Sequence, residues 1–191
     1  MSPRLEAVLA AIDAANAADP TTEGEGAEAG PAALLYGQRM SAELARVCQQ
    51  TTELLQIAAR GQHIERWKMP RHSYPEGRVG YLKWRKAQAA YHAGRVAALM
   101  AEAGYPDDDC QRVAAMLRKE RLKHDAEVQM LEDVICLVFL RWYFADFAAG
   151  RDAEQIAGIV TKTARKMSDA GRARVAAEFN LPDHLARALA V

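Results

Sequence analysis

No window of this sequence alternates apolar and polar residues strictly enough to make a strand, whereas apolar residues spaced three and four apart recur along its length. Alanine, the strongest helix former, is abundant. Together these features restrict the chain to an all-α fold, a compact helical bundle. Ser2 and Pro3 supply a cap and a first-turn proline for an opening helix with Leu5, Val8, Leu9 and Ile12 on one stripe. The acidic, low-complexity segment from Asp19 to Pro31 has no apolar anchor and is expected to be a mobile loop.

A second helix is predicted from about Ala32 to Gln49, with Leu34, Met40, Leu44 and Val47 inward. Thr51 or Thr52 caps a third, which carries GQHIERW and ends at Pro70. The fourth spans roughly Arg78 to Ala103 and stops at Gly104. Asp107 to Asp109 cap a fifth, over about Cys110 to Lys123. Asp125 caps a sixth that runs to Ala149, is apolar nearly all round and is expected at the centre; shorter helices follow.

The length, 191 residues, suits a single domain, 1–191. Lys plus Arg, 25, equals Asp plus Glu, 25, which argues against a nucleic-acid coat protein but leaves room for a local basic patch. Cys48, Cys110 and Cys136 form no CxxC pair and fit a reducing, cytoplasmic compartment. The start, Met1 to Ala18, lacks a cationic region followed by an apolar run. The most apolar stretch, Val134 to Phe147, contains Arg141 and Asp146 and is too short to span a bilayer, so no membrane partner is expected.

Some polar residues are hard to place as structure alone. Glu132 and Asp133 sit beside the most apolar part of the sixth helix, where an unpaired carboxylate is costly. They point about 100° apart, so at least one faces the core or a cavity; either it pairs with an arginine or it serves a site. His63 and His92 also lie in apolar helical settings, while His72, His124 and His184 have polar neighbours and are expected at the surface. Imidazole and carboxylate on three helices are ligand types for a divalent ion, or acid–base groups without one.

Cations crowd the same stretches: Arg39, Arg60, Arg66, Arg71, Arg78, Arg85 and, at the end of the fifth helix, Lys119. Converging guanidiniums suit phosphate, although a charged face can equally be solvated. Trp67, Tyr74, Tyr81 and Trp84 cluster nearby, where they either pack or stack a base. No P-loop, GxGxxG, GxSxG or HExxH pattern occurs.

The strings YGQRM, ARGQHIERW, PRHSYPEGRVGYLKWR, LRKERLK and LEDVICLVFL, in that order, resemble the family catalogued as domain of unknown function forty-two oh-two. The resemblance covers residues 32–168. More distantly, the layout is similar to the HD-domain superfamily of helical, metal-dependent phosphohydrolases, and this implies an HD-domain-like bundle. Under that likeness His63, His92 and Asp133 would hold a divalent metal ion (Mn, Fe, Co, Ni or Zn). Ile64 stands where the paired Asp belongs, and Gln38 or Tyr36 where an early His belongs. The implied activity is hydrolysis of a nucleotide or other small phosphate ester. Glu132 would be the general base. Lys119, Arg39, Arg60, Arg66, Arg71, Arg78 and Arg85 would hold phosphate, with Tyr81 and Trp84 beside it. The alternative is a non-catalytic module on the same degenerate scaffold, binding a small phosphorylated molecule or RNA.

Overall fold

Ser2 accepts a hydrogen bond from the Leu5 N–H and Pro3 opens helix α1, Pro3–Asn16, which buries Leu5, Val8, Ile12 and Asn16 along one stripe. The structure, a computed structural model, describes residues 1–189. It is mostly helical, with ten α-helices and one two-stranded sheet among the described residues. No helix of the described residues is long and apolar enough to cross a membrane. The chain divides into two compact units, Met1–Glu120 and Arg121–Val191.

In the first unit, the segment expected to be a mobile loop is instead a small antiparallel hairpin, β1 (Thr22–Glu23) and β2 (Gly30–Pro31). Asp19 ties it down, accepting from the Thr21 and Ala33 N–H groups at 2.9 and 3.0 Å. The second contact caps α2, Ala32–Val47. Thr52 caps α3, Glu53–Arg60, by accepting from Leu55 N–H. The helix expected to run on through His63 stops there. Gly61 follows because a Cβ at that position would lie 2.5 Å from Val96 Cγ2.

The longest helix, α4 (Gly77–Glu102), begins against Pro75, whose carbonyl oxygen would sit 1.8 Å from a Cβ on Gly80, and ends at Gly104 with φ 82°. It packs on α5, Asp107–Leu117, which also meets α3. Helix α5 is shorter than expected: Arg118 caps it, and Lys119 closes it in the left-handed region with φ 58°.

In the second unit, Asp125 caps α6, Ala126–Val138, by accepting from the Glu127 and Val128 N–H groups. The expected continuous helix to Ala149 is interrupted by a π-helical turn, Phe139–Tyr143, before α7, Phe144–Ala149. Then come α8 (Ala153–Ala164), α9 (Asp169–Glu178) and α10 (Asp183–Leu189). Ile156, Val160 and Leu185 bury the α8–α10 contact, with Phe144, Ala148 and Leu181 around them.

Candidate functional site

Glu65 sets the geometry of the site. It adopts a left-handed backbone, φ 49°, immediately past the turns that follow α3, and its N–H donates to Asn16 Oδ1 at 2.9 Å. Its buried carboxylate accepts from Lys68 Nζ (2.6 Å), Tyr91 OH (2.6 Å) and Arg95 Nε (3.2 Å). Burial pushes this carboxyl up, but the Lys68 and Tyr91 hydrogen bonds together with the charges of Lys68 and Arg95 outweigh it and hold it below the usual carboxylate range. Glu65 is therefore a brace. With the turn pinned, the Ile64 carbonyl is aimed at α4, where it accepts from His92 Nδ1 at 2.7 Å.

His63 and His92, singled out in the sequence, do come together, with ring centroids 5.9 Å apart. The His63 ring also stacks on Tyr36, 4.1 Å between centroids and 22° between planes, while Tyr36 OH donates to Gln62 Oε1 at 2.9 Å. Both histidines line a cleft of about 40 Å³, open to solvent on one side. Gln62, His63 and Arg66 come from the turn after α3, Trp84, Arg85, Gln88, Ala89 and His92 from α4, and Leu117 and Lys119 from the end of α5. All belong to the first unit.

Three cations border that cleft. Arg66 lies over the Trp84 ring, 4.7 Å from its centroid, and Trp84 Nε1 donates to the Met69 carbonyl at 2.9 Å. Arg85 lies near Tyr81, whose hydroxyl accepts from it at 3.4 Å. Lys119 enters from the end of α5. The positive field shows in the histidines. Burial, then Arg66, His92, Lys119 and Arg85, hold His63 well below its ordinary pKa. Burial and Arg66 bring His92 down to about 4, against the opposing Ile64 carbonyl and Glu65. Both are neutral imidazoles near pH 7. Arg66 is itself lowered, chiefly by burial, yet an arginine stays charged in this range.

Other expected phosphate ligands are committed elsewhere or face solvent. Arg60 donates through Nε and an Nη to both oxygens of Asp13 on α1, at 2.8 and 2.9 Å. Arg39 pairs with Glu23 of the hairpin. Arg71 braces its own loop through the Tyr74 and Gly77 carbonyls, and Arg78 is exposed on the first turn of α4. Tyr81 is 41 % exposed. His72, His124 and His184 are exposed, as expected.

Glu132 and Asp133 lie in the second unit, both buried on α6. Asp133 accepts from the Ser168 N–H at 2.9 Å, from the Ser168 hydroxyl, and from Gln129 Nε2 at 3.1 Å. It supports the start of α9, which Ser168 caps. Gly171 makes this possible, since a Cβ there would lie 2.7 Å from Asp133 Cγ. The expected His63, His92 and Asp133 metal set does not fit this arrangement: the Asp133 carboxylate is taken up by Ser168 and Gln129. Among the described residues, no group of three or more His, Cys, Asp or Glu side chains is placed to hold a metal ion.

Sequence reasoning passed over Gln62 and Gln88. The signal for Gln88 was present: 85, 88 and 92 are spaced three and four apart, which puts them on one side of α4. The chain has no match among curated proteins or solved structures. A family model described as Domain of unknown function (DUF4202) matches residues 6–189, nearly the whole chain. The chain belongs to that family.

Proposed function

We propose that the first unit binds a small phosphorylated molecule in the cleft between the post-α3 turn, α4 and the end of α5. The observation that carries this is the convergence there of Arg66, Arg85 and Lys119, with no carboxylate among the described lining residues. Guanidinium and ammonium groups at a partly desolvated surface suit a phosphate dianion. A water needs about 10–15 Å³ of such space, so about 40 Å³ accepts one tetrahedral group and leaves the rest of the molecule at the open side. Trp84 already carries Arg66 on its ring, which weighs against stacking an RNA base there.

The hydrolytic form of this reading is an HD-domain-like phosphohydrolase with Glu132 as base and a divalent ion on His63, His92 and Asp133. It is less well supported, because Asp133 is occupied in capping α9. The two forms separate in one experiment. Thermal melts of the full chain are recorded with inorganic phosphate, nucleotides, sugar phosphates and RNA, each with and without chelator. A phosphorylated ligand at 100 times its Kd adds about 2.7 kcal/mol, roughly 5–10 °C for a chain of this size. Binding should survive chelator, be lost in Arg66→Ala and persist in Arg60→Ala. A shift that chelator abolishes would instead support the metal-dependent form. A shift with RNA alone, or with nothing, overturns the proposal.

A further inference from the structure

Two buried side-chain atoms, on residues that line the cleft, find no hydrogen-bond partner in the protein, and both are acceptors. His92 is 3 % exposed. A carbonyl can only accept, so the Ile64 contact places the imidazole hydrogen on Nδ1 and leaves a lone pair on Nε2. Gln88 is also 3 % exposed, and its amide nitrogen donates to the carbonyls of Arg66 (3.1 Å) and Met69 (3.0 Å). Two carbonyls on one end settle which end is nitrogen, and Oε1 is the second acceptor without a donor.

A wall with cations and bare acceptors makes two demands of its occupant. It must bring negative charge for Arg66 and Arg85, and hydrogens for His92 Nε2 and Gln88 Oε1. We infer that the cleft selects an oxyanion carrying O–H donors, on the tetrahedral group itself or on an adjacent carbon, and discriminates against sulfate. This rests on the cleft being a phosphate site. Sulfate at neutral pH has four oxygens and no hydrogen, so it would set lone pairs against lone pairs. Inorganic phosphate keeps at least one hydrogen, and the phosphate ester of a polyol brings a hydroxyl within reach. A buried acceptor left unpaired weakens binding substantially, and sites built to pair with a hydroxyl reject ligands lacking it.

The test is calorimetric titration of the full chain at pH 7 with inorganic phosphate, sulfate, methyl phosphate and glycerol 1-phosphate. Phosphate should bind about tenfold or more tightly than sulfate. Inorganic phosphate ahead of methyl phosphate places the donor on the anion, and glycerol 1-phosphate ahead of methyl phosphate places it on the neighbouring hydroxyl; either supports the inference. His92→Phe should bring the phosphate-to-sulfate ratio close to one, and Gln88→Met tests the same claim should the first variant not fold. Equal affinity for sulfate and phosphate in the wild type, or full preference in a folded variant, overturns the inference while leaving an anion site in place. If none of the four binds, the phosphate site itself is wrong.

Discussion

Replacing Lys119 with glycine should make the protein a poorer binder than the wild type yet more stable than the Lys119→Ala variant. The α5 terminus closes with two hydrogen bonds, Lys119 N–H to the Met116 carbonyl (2.9 Å) and Glu120 N–H to the Ala115 carbonyl (3.0 Å). That pairing requires the intervening residue to be left-handed, and here it is a lysine at φ 58°. An L side chain in that region costs about 1–2 kcal/mol. Glycine recovers that cost but frees the unfolded chain, which takes back about 0.4–1 kcal/mol. The net gain over alanine lies between about 0 and 1.6 kcal/mol, and a gain of about 1 kcal/mol is roughly 2–4 °C in Tm. Loss of the ammonium removes a charged hydrogen bond to phosphate worth about 1.5–3 kcal/mol, a roughly 10- to 100-fold weaker Kd. Lys119→Ala separates the effects: it keeps the left-handed backbone, so it should bind as poorly as the glycine variant without its gain in stability. Urea unfolding of the three proteins without phosphate, followed by phosphate titration, makes the comparison. A glycine variant less stable than the alanine variant would refute the strain argument, and unchanged phosphate affinity would remove Lys119 from the site.

Two further outcomes follow from the packing and the buried imidazoles. Gly171→Ala drives a methyl into the Asp133 carboxyl, so overpacking of about 1–3 kcal/mol should outweigh the helix-propensity gain of about 1 kcal/mol. Gly158→Ala in α8, with nothing within 4 Å of its Cβ, should show the gain alone; chemical unfolding of both checks the sign. Acid should weaken the first unit early. The unfolded His92 takes up a proton near pH 6.5 and the folded one only near pH 4, so its stabilising contribution is full above about 6.5 and is lost as pH falls towards 4. The loss is about 3 kcal/mol, with His63 adding in the same direction. Urea midpoints from pH 7.5 to 4.5 should decline across that window, and a flat profile down to 4.5 would contradict a buried neutral His92.

The parts of the fold legible in sequence are those set by neighbours a few residues away. Ser2, Thr52 and Asp125 cap the helices they were expected to cap, and Gly104 ends the one it was expected to end. Where the reason lies far along the chain, the reading fails. Nothing near Gly61 says that the position must be glycine; Val96 on α4 does. Arg60 and Arg66 look alike as letters, but one meets Asp13, 47 residues earlier, and the other borders the cleft. His63 and His92 could each be singled out because each interrupts an apolar helical setting, whereas their meeting, 5.9 Å between ring centroids, could not be read from sequence. The burial of Asp133 was legible for the same reason, whereas its partner Ser168, 35 residues later, was not.

The π turn at Phe139–Tyr143 has an evolutionary corollary. One extra residue per turn advances everything downstream by about 100° about the helix axis, so α6 and α7 do not share one continuous frame. Phe139 meets Phe144 and Phe147 edge-on across that slip, with ring centroids 6.0 and 5.3 Å apart. Such a turn has the form of a one-residue insertion accommodated without breaking the helix. Relatives that lost or never gained the residue would carry a regular helix through this point, and a one-residue gap would fall between 139 and 143 when they are aligned with this chain. In such a relative the residues equivalent to 139 and 144 would stand four apart on one helix face, so their contact would survive the loss.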